Sequence, residues 1–497
     1  MNRHVSHQTS KSALCKNARV LAGVALCMFL LPCLQGQTVP ANGWPSMRPT
    51  REVVVLSAPT STGVGYFSIF DQAGDSLMVE DSIGNNPLLF TLDSTGSYAN
   101  TTNGDSSSNY FPVNVTGSGV IGYNTMVQGS TISGIFSPGS VEYALDVAHS
   151  AVDIGAASQG YNPGEFSFGT PVSVASTPVS MAGLPYGSAG LQRYFVVSQN
   201  ISYGVTCNNS PSSVTTAGEA DAIEIATNTI SARIPVGACP VFALSSADGK
   251  RVFVLNRGSD SITVINAASD SLDSCTPFVS ASGQMVTCHP SIELAPAAGQ
   301  AHAGPVYAEY VASTGLLVVA NYDGNSVSII DVSLDMFGND SPSFGTGFTV
   351  PVGRHPAGLT VFPDGTRAYV VNQQDSSISI VDLRSHAVVK TFATIGMPRS
   401  VASTADSSTN SISTKVYVAS PSTSNLEIIY NSVEGDNSTE GNYVNGRILD
   451  VRVSSQVGSV TGNMNYMSRL PGAGQPCNLP NFSSGTTASI AACQSLQ

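Results

Sequence analysis

The sequence predicts an all-β chain assembled from copies of one small unit, and three observations carry that expectation. A short pattern is written three times: residues 248–266 read DGKRVFVLNRGSDSITVIN, 315–331 read GLLVVANYDGNSVSIID, and 364–382 read DGTRAYVVNQQDSSISIVD. In each copy an Asn ends an apolar run, and a second run closes ten residues later, so that Asn256 answers Asn266, Asn321 answers Asp331 and Asn372 answers Asp382. Charged residues make up only 11% of the chain, helix formers are scarce, and no amphipathic run of helical period stands out. A unit of turn, strand, turn and strand cannot bury its own apolar face, so the copies must stack on one another.

The third copy shows the whole unit. Pro351 to Pro356 is a loop, Ala357 to Phe362 a strand, and Pro363-Asp364-Gly365 a tight turn of hairpin chemistry. Arg367 to Val371, Ser377 to Asp382 and Ala387 to Phe392 follow as three more strands. Four antiparallel strands in a unit of about 40–50 residues make a propeller blade. Fainter second strands occur at Glu52–Ser57, Ser97–Asn103, Glu142–Ala148, Arg193–Ser198 and Lys415–Ser420. The expectation is a single β-propeller over 51–455, with seven blades favoured once one end is allowed to be irregular, and eight possible.

The flanks read differently. Residues 1–36 have a basic start and an apolar stretch from Val20 to Leu34, the pattern of a signal peptide. Cys33 raises lipoprotein anchoring, but Pro32 before it suits that signal poorly. Residues 37–50 read as a linker, and 456–497, broken by Pro471-Gly472 and Gly474, as an irregular tail. Past the leader no stretch is apolar and long enough to span a bilayer. The chain therefore reads as secreted or held in the cell envelope.

Without the four basic residues of the leader, 16 basic face 33 acidic residues, a net charge of −17. A surface of that sign repels phosphate backbones, which excludes nucleic acid as a partner class. Six cysteines remain past the leader: Cys207, Cys239, Cys275, Cys288, Cys477 and Cys493. An even number in an oxidising compartment reads as disulfides. Sequence proximity favours 275 with 288 and 477 with 493, leaving 207 with 239, one choice among fifteen connectivities.

The phrase Arg367-Ala368-Tyr369-Val370-Val371-Asn372, with Val352-Gly353 and Pro356 ahead and Ile378 to Asp382 behind, resembles the YVTN β-propeller repeat family. The resemblance runs from about Ile234 to Ile395, and Arg251–Asn256 and Leu317–Asn321 carry the motif without its Tyr. It implies a seven-bladed propeller of the kind found in surface-layer and other exported proteins, and distantly in lactonases and quinoprotein dehydrogenases. The motif describes blade structure, so it carries fold further than function.

Propeller geometry turns the repeat into a map. The loop leading into strand 1 and the turn between strands 2 and 3 share a face, which makes Arg257, Tyr322, Arg354, His355, Asn372 and Arg399 the candidate binding rim. His302 shares that rim with Asn321, and Cys239 shares it with Asn256. The three Asn side chains are expected to cap their turns. The Arg residues are set to bind a carboxylate or acidic glycan, or to pair with local Asp residues. Seven histidines, two in the leader, are too few for a multi-copper site, and no GxSxG, HExxH or P-loop occurs. Asp323-Gly324-Asn325 reads as a turn. No catalytic residue, metal ligand or cofactor is assigned. The expected function is a non-catalytic, monomeric propeller that binds protein or carbohydrate at the cell surface or serves the envelope structurally. The alternative is a lactonase-like hydrolase with its site at the channel mouth.

Overall fold

The computed structural model describes residues 52–57, 64–71, 76–85, 87–92, 98–103, 107–112, 123–126, 132–136, 141–157, 166–184, 193–203, 205, 207–209, 214–280, 283–362, 365–403, 415–420, 425–430, 448–452 and 457–460. Side chains are described for most of these between 141 and 429. The expected leader 1–36 and linker 37–50, the tail beyond 460 with Cys477 and Cys493, and the turn residues Pro363 and Asp364 lie outside them.

Among the described residues every regular element is a strand. Among the described residues there are eight antiparallel sheets built on four strands, seven with those strands in chain order, and two with one added strand; a short ribbon pairs Phe278–Val279 with Met285–Val286. Numbered along the chain, sheet 1 holds 52–85, sheet 2 87–126, sheet 3 132–173, sheet 4 178–238, sheet 5 240–293, sheet 6 305–351, sheet 7 356–393 and sheet 8 400–452. The favoured seven blades left room for one candidate strand to be an irregular end. Glu52–Ser57 is not one: Val457–Val460 pairs with it antiparallel and supplies the first strand of sheet 1. That strand lies just past the boundary expected at 455.

The first strands of consecutive sheets pack side by side, from Pro87–Leu92 through Pro178–Gly183, Pro240–Ser245, Pro305–Val311 and Pro356–Val361 to Ser400–Ser403 and Val457–Val460. Second strands such as Arg251–Asn256 and Arg367–Asn372 are buried at every residue, because a neighbouring sheet covers each face. Fourth strands such as Ala387–Ala393 are largely exposed. The core therefore lies between sheets, where Phe242 of sheet 5 meets Tyr307 of sheet 6 with ring centroids 5.2 Å apart.

Sheets 4 to 7 each open their first strand on a Pro and shift register by one residue just after it, at Pro178, Pro240, Pro305 and Pro356. Proline has no N–H to lose, so it suits a strand start at a bare edge. At the opposite end, an Arg opens several second strands and pairs with acids: Arg367 lies 2.6 Å from Asp382, Arg251 reaches Asp273 and Asp340, and Arg193 reaches Asp270 and Glu224. These scarce cations are spent inside the protein, which helps leave its surface acidic.

Candidate binding rim at the turn end of the sheets

The rim begins with the repeated Asn. Asn256 Nδ2 donates to Ser261 Oγ at 3.3 Å and Thr263 Oγ1 at 2.9 Å. Asn321 donates to Ser326 and Ser328 at 3.0 and 2.8 Å, and Asn372 to Ser377 and Ser379 at 3.1 and 2.9 Å. Each fully buried amide thus ties the end of strand 2 to the hydroxyls five and seven residues on. Gly353 lies against the Asn372 amide so closely that a Cβ there would sit 2.6 Å from its Cγ, and Gly237 meets Asn256 in the same way. Asn372 belongs to this lock.

The residue before each leading Pro is left-handed: Thr177, Cys239, Gly304 and His355 have φ of 58°, 53°, 61° and 53°. That conformation is costly for non-Gly residues and worse before proline. One repeated bond holds it in place. The carbonyl of each accepts from the N–H that follows the strand 2 terminus: Gln199, Arg257, Tyr322 and Gln373, at 2.9–3.0 Å. Turn residues then tie each sheet to the next. Asp260 accepts from Ala303 N and Gly304 N at 3.0 and 2.7 Å and lies 2.8 Å from His302 Nδ1, while Asn325 accepts from His355 N at 2.9 Å.

Gln199, Arg257, Tyr322 and Gln373 therefore occupy one position in four consecutive sheets, and all four are buried. The Arg257 guanidinium donates from Nε and Nη2 to both oxygens of Asp323, each at 2.9 Å. Asp323 also accepts from Asn209 Nδ2 at 2.9 Å. Arg257 lies over the Tyr322 ring, 5.4 Å from its centroid, and Tyr322 stacks on His355 at 4.4 Å and 13°. Burial pushes the Tyr322 phenol well above its usual range, although Arg257 and Arg399 oppose the shift. Burial lowers the His355 pKa, so the stacked imidazole favours its neutral form. Arg399 follows Pro398 at the shifted position that holds Val179, Val241, Val306 and Ala357 in sheets 4 to 7, and it is fully buried.

Arg354 differs: its side chain is 61% exposed, with its N–H and guanidinium both on Asp375. Burial works against the Asp375 charge, but these bonds outweigh it and hold the carboxyl below its ordinary value. The structure thus gathers Arg257, Tyr322, His355 and Arg354 into one contiguous group, brings the charge of Arg399 to Tyr322, and assigns Asn372 to the strand lock. Sequence reasoning passed over Gln199 and Gln373 and read Asp323 only as part of a turn. Gln373 was findable, since it follows the repeated Asn as Arg257 and Tyr322 do. Gln199 was hidden because Ser198 stands where the Asn would be.

Two expected disulfides are present, Cys207–Cys239 and Cys275–Cys288, each with Cα atoms 5.5 Å apart. The first fixes the loop after sheet 4's second strand to the residue before Pro240, beside the Arg257–Asp323 pair. Among the described residues no group of three or more His, Cys, Asp or Glu side chains is arranged to hold a metal ion, and no helix is long and apolar enough to cross a membrane.

No protein-family model matches the chain, and none of the curated proteins matches it in sequence. Among solved structures it is similar to apo AztD from Citrobacter koseri, with 10% identity and a TM-score of 0.52 over 82% of this chain and 96% of that one. It is also similar to the dihydro-heme d1 dehydrogenase NirN in complex with DHE, with 11% identity and a TM-score of 0.54 over 87% and 79%. Both are propellers. Likeness at that identity speaks for architecture alone: this is an all-β protein of antiparallel sheets with a propeller fold.

Proposed function

We propose that the chain is an exported, non-catalytic propeller of the YVTN type, an eight-bladed ring whose turn-end rim serves as a binding or scaffolding surface in the envelope or outside the cell. Eight sheets in chain order, and a C-terminal strand paired to the N-terminal one, support ring closure. The paired cysteines suit an oxidising compartment.

One observation carries the non-catalytic reading. Three ionisable side chains of the rim are paired within it, Arg257 to Asp323, Arg354 to Asp375 and His302 to Asp260, and the His355 imidazole is stacked on Tyr322. A lactonase-like hydrolase needs a carboxylate and an imidazole turned to substrate, whereas this arrangement locks blades together and presents a fixed surface. Arg354 and His302 are its exposed cationic and titratable groups, so a carboxylate-bearing ligand is the favoured class.

The test is binding of an acidic oligosaccharide, oligogalacturonate, to the native protein and to an Arg354→Ala/His302→Ala variant at two salt concentrations. Weaker binding by the variant, with the larger loss at low salt where surface charge is least screened, supports the rim. Equal binding removes it. Lactone hydrolysis by the native protein that the variant lacks would establish the hydrolase reading instead.

A further inference from the structure

A second cluster of ionisable side chains lies at the opposite end of sheet 5. Arg251 opens the second strand there, and its Nη2 lies 3.2 Å from Asp273 Oδ1 and 3.0 Å from Asp340 Oδ1. His289 Nδ1 is 2.8 Å from the other Asp340 oxygen, and its ring stacks on Phe344 with centroids 5.2 Å apart. Both aspartates and the arginine are buried. The four come from three places in the chain. Arg251 is in the sheet, and Asp273 and His289 bracket the segment that carries the ribbon and the Cys275–Cys288 bond. Asp340 is in the loop before Gly347–Pro351 of sheet 6. That bracketed segment, 274–288, has no charged residue and exposes Phe278, Val279 and Met285.

Two carboxylates face one guanidinium. Fully ionised, the two aspartates and Arg251 carry one surplus negative charge out of contact with water. One proton held between the aspartates removes that surplus. We propose that Arg251, Asp273, Asp340 and His289 form a proton-dependent clasp that holds the stapled ribbon segment against the neighbouring sheet 6 loop, tight in mild acid and looser towards neutrality. It acts independently of the rim and of whatever the rim binds.

Burial pushes the Asp273 carboxyl up to about 6, with Arg251 opposing and Asp340 adding to the rise. The sign follows from linkage: the closed clasp binds a proton that the open one releases. Opening therefore grows as pH rises from the ordinary carboxylate value towards 6, then levels off. Nearby charges have partners of their own. Lys250 turns to Asp248, and Glu293 accepts from Ser291. On the sheet 6 loop, burial works against the charges of Asp331 and Asp335. Bonds from Ser333 and Ser343 to the first, and from Asn339, Phe337 N and Gly338 N to the second, hold both below the ordinary range.

The experiment is amide hydrogen exchange on the full chain with its disulfides intact, from pH 4.5 to 7.5, corrected for intrinsic rates. Peptides covering 271–293 and 333–346 should open about tenfold more at pH 7 than at pH 4.5, the change that one pKa unit of linkage produces. Asp273→Asn, which mimics the protonated acid, should abolish the step and keep both segments protected throughout. A flat native profile, or a step that survives in Asp273→Asn, overturns the proposal. If exchange in 367–382 shows that this variant has not folded, Asp340→Asn takes its place and must abolish the step by the same criterion.

Discussion

The repeated Asn does its work through two hydrogen bonds per copy, and the physical chemistry of those bonds ranks the residues of the rim. Removing a buried amide leaves two hydroxyls unsatisfied, so Asn321→Ala is expected to cost about 1–3 kcal/mol in denaturant unfolding. Arg354→Ala breaks a pair at a largely exposed side chain and is expected to cost under about 1 kcal/mol. Equal losses in the two variants would contradict the division between lock and surface. At this scale the sequence was informative where one residue type recurs: Asn256, Asn321 and Asn372 were legible as turn-closing groups. Asp323 was not, because a turn aspartate looks the same whether it faces water or a buried guanidinium on the previous sheet. The burial of Arg257 and Arg399 was equally hidden, since only the stacking of sheets decides which side of a turn is covered.

Strands were the legible elements. Apolar runs closing on Asn at a fixed interval brought out three second strands, and fainter apolar runs, several ending on Ser, brought out the other five, Glu52–Ser57 included, because side-chain period and turn chemistry are local. The register shift after each leading Pro and the left-handed residue before it were not legible, as both arise from how a first strand meets its neighbours. The loop after Arg193–Ser198 is held at Cys207, which is buried and bonded to Cys239, and at Asn209, which donates to Asp323. Replacing both cysteines by Ser is expected to lower stability by about 2–4 kcal/mol and to raise exchange in 199–209. A double variant as stable as the native chain would show that Asn209 and the loop's packing suffice without the bond.

At the scale of the molecule, buried acids set the response to pH. Burial pushes Asp221 up to about 7, with the Ala175 N–H and Arg233 opposing, and Asp273 behaves alike at about 6. Both folded-state values stand above those of the unfolded chain, so these groups stabilise most at low pH and their contribution fades as pH rises from about 4 to 7. His355, with its pKa lowered, acts the other way and disfavours folding below its ordinary value. Two acids outweigh one half-buried imidazole. The melting temperature is therefore expected to rise as pH falls from 7.5 to 5, and Asp221→Asn to flatten the upper part of that rise. A native protein most stable at pH 7.5 would contradict this balance. The propeller itself was legible in the sequence, but its blade count was not, since a first strand supplied from the far end of the chain leaves no local mark. Closure is where the account is most exposed to test. Val55 and Val460 stand directly opposite in the antiparallel pair that joins the two ends, a separation that a disulfide spans. In a Val55→Cys/Val460→Cys variant, non-reducing peptide mapping should recover a 55–460 link together with a higher melting temperature. Two free thiols at those positions in the folded protein would contradict the closed eight-bladed ring.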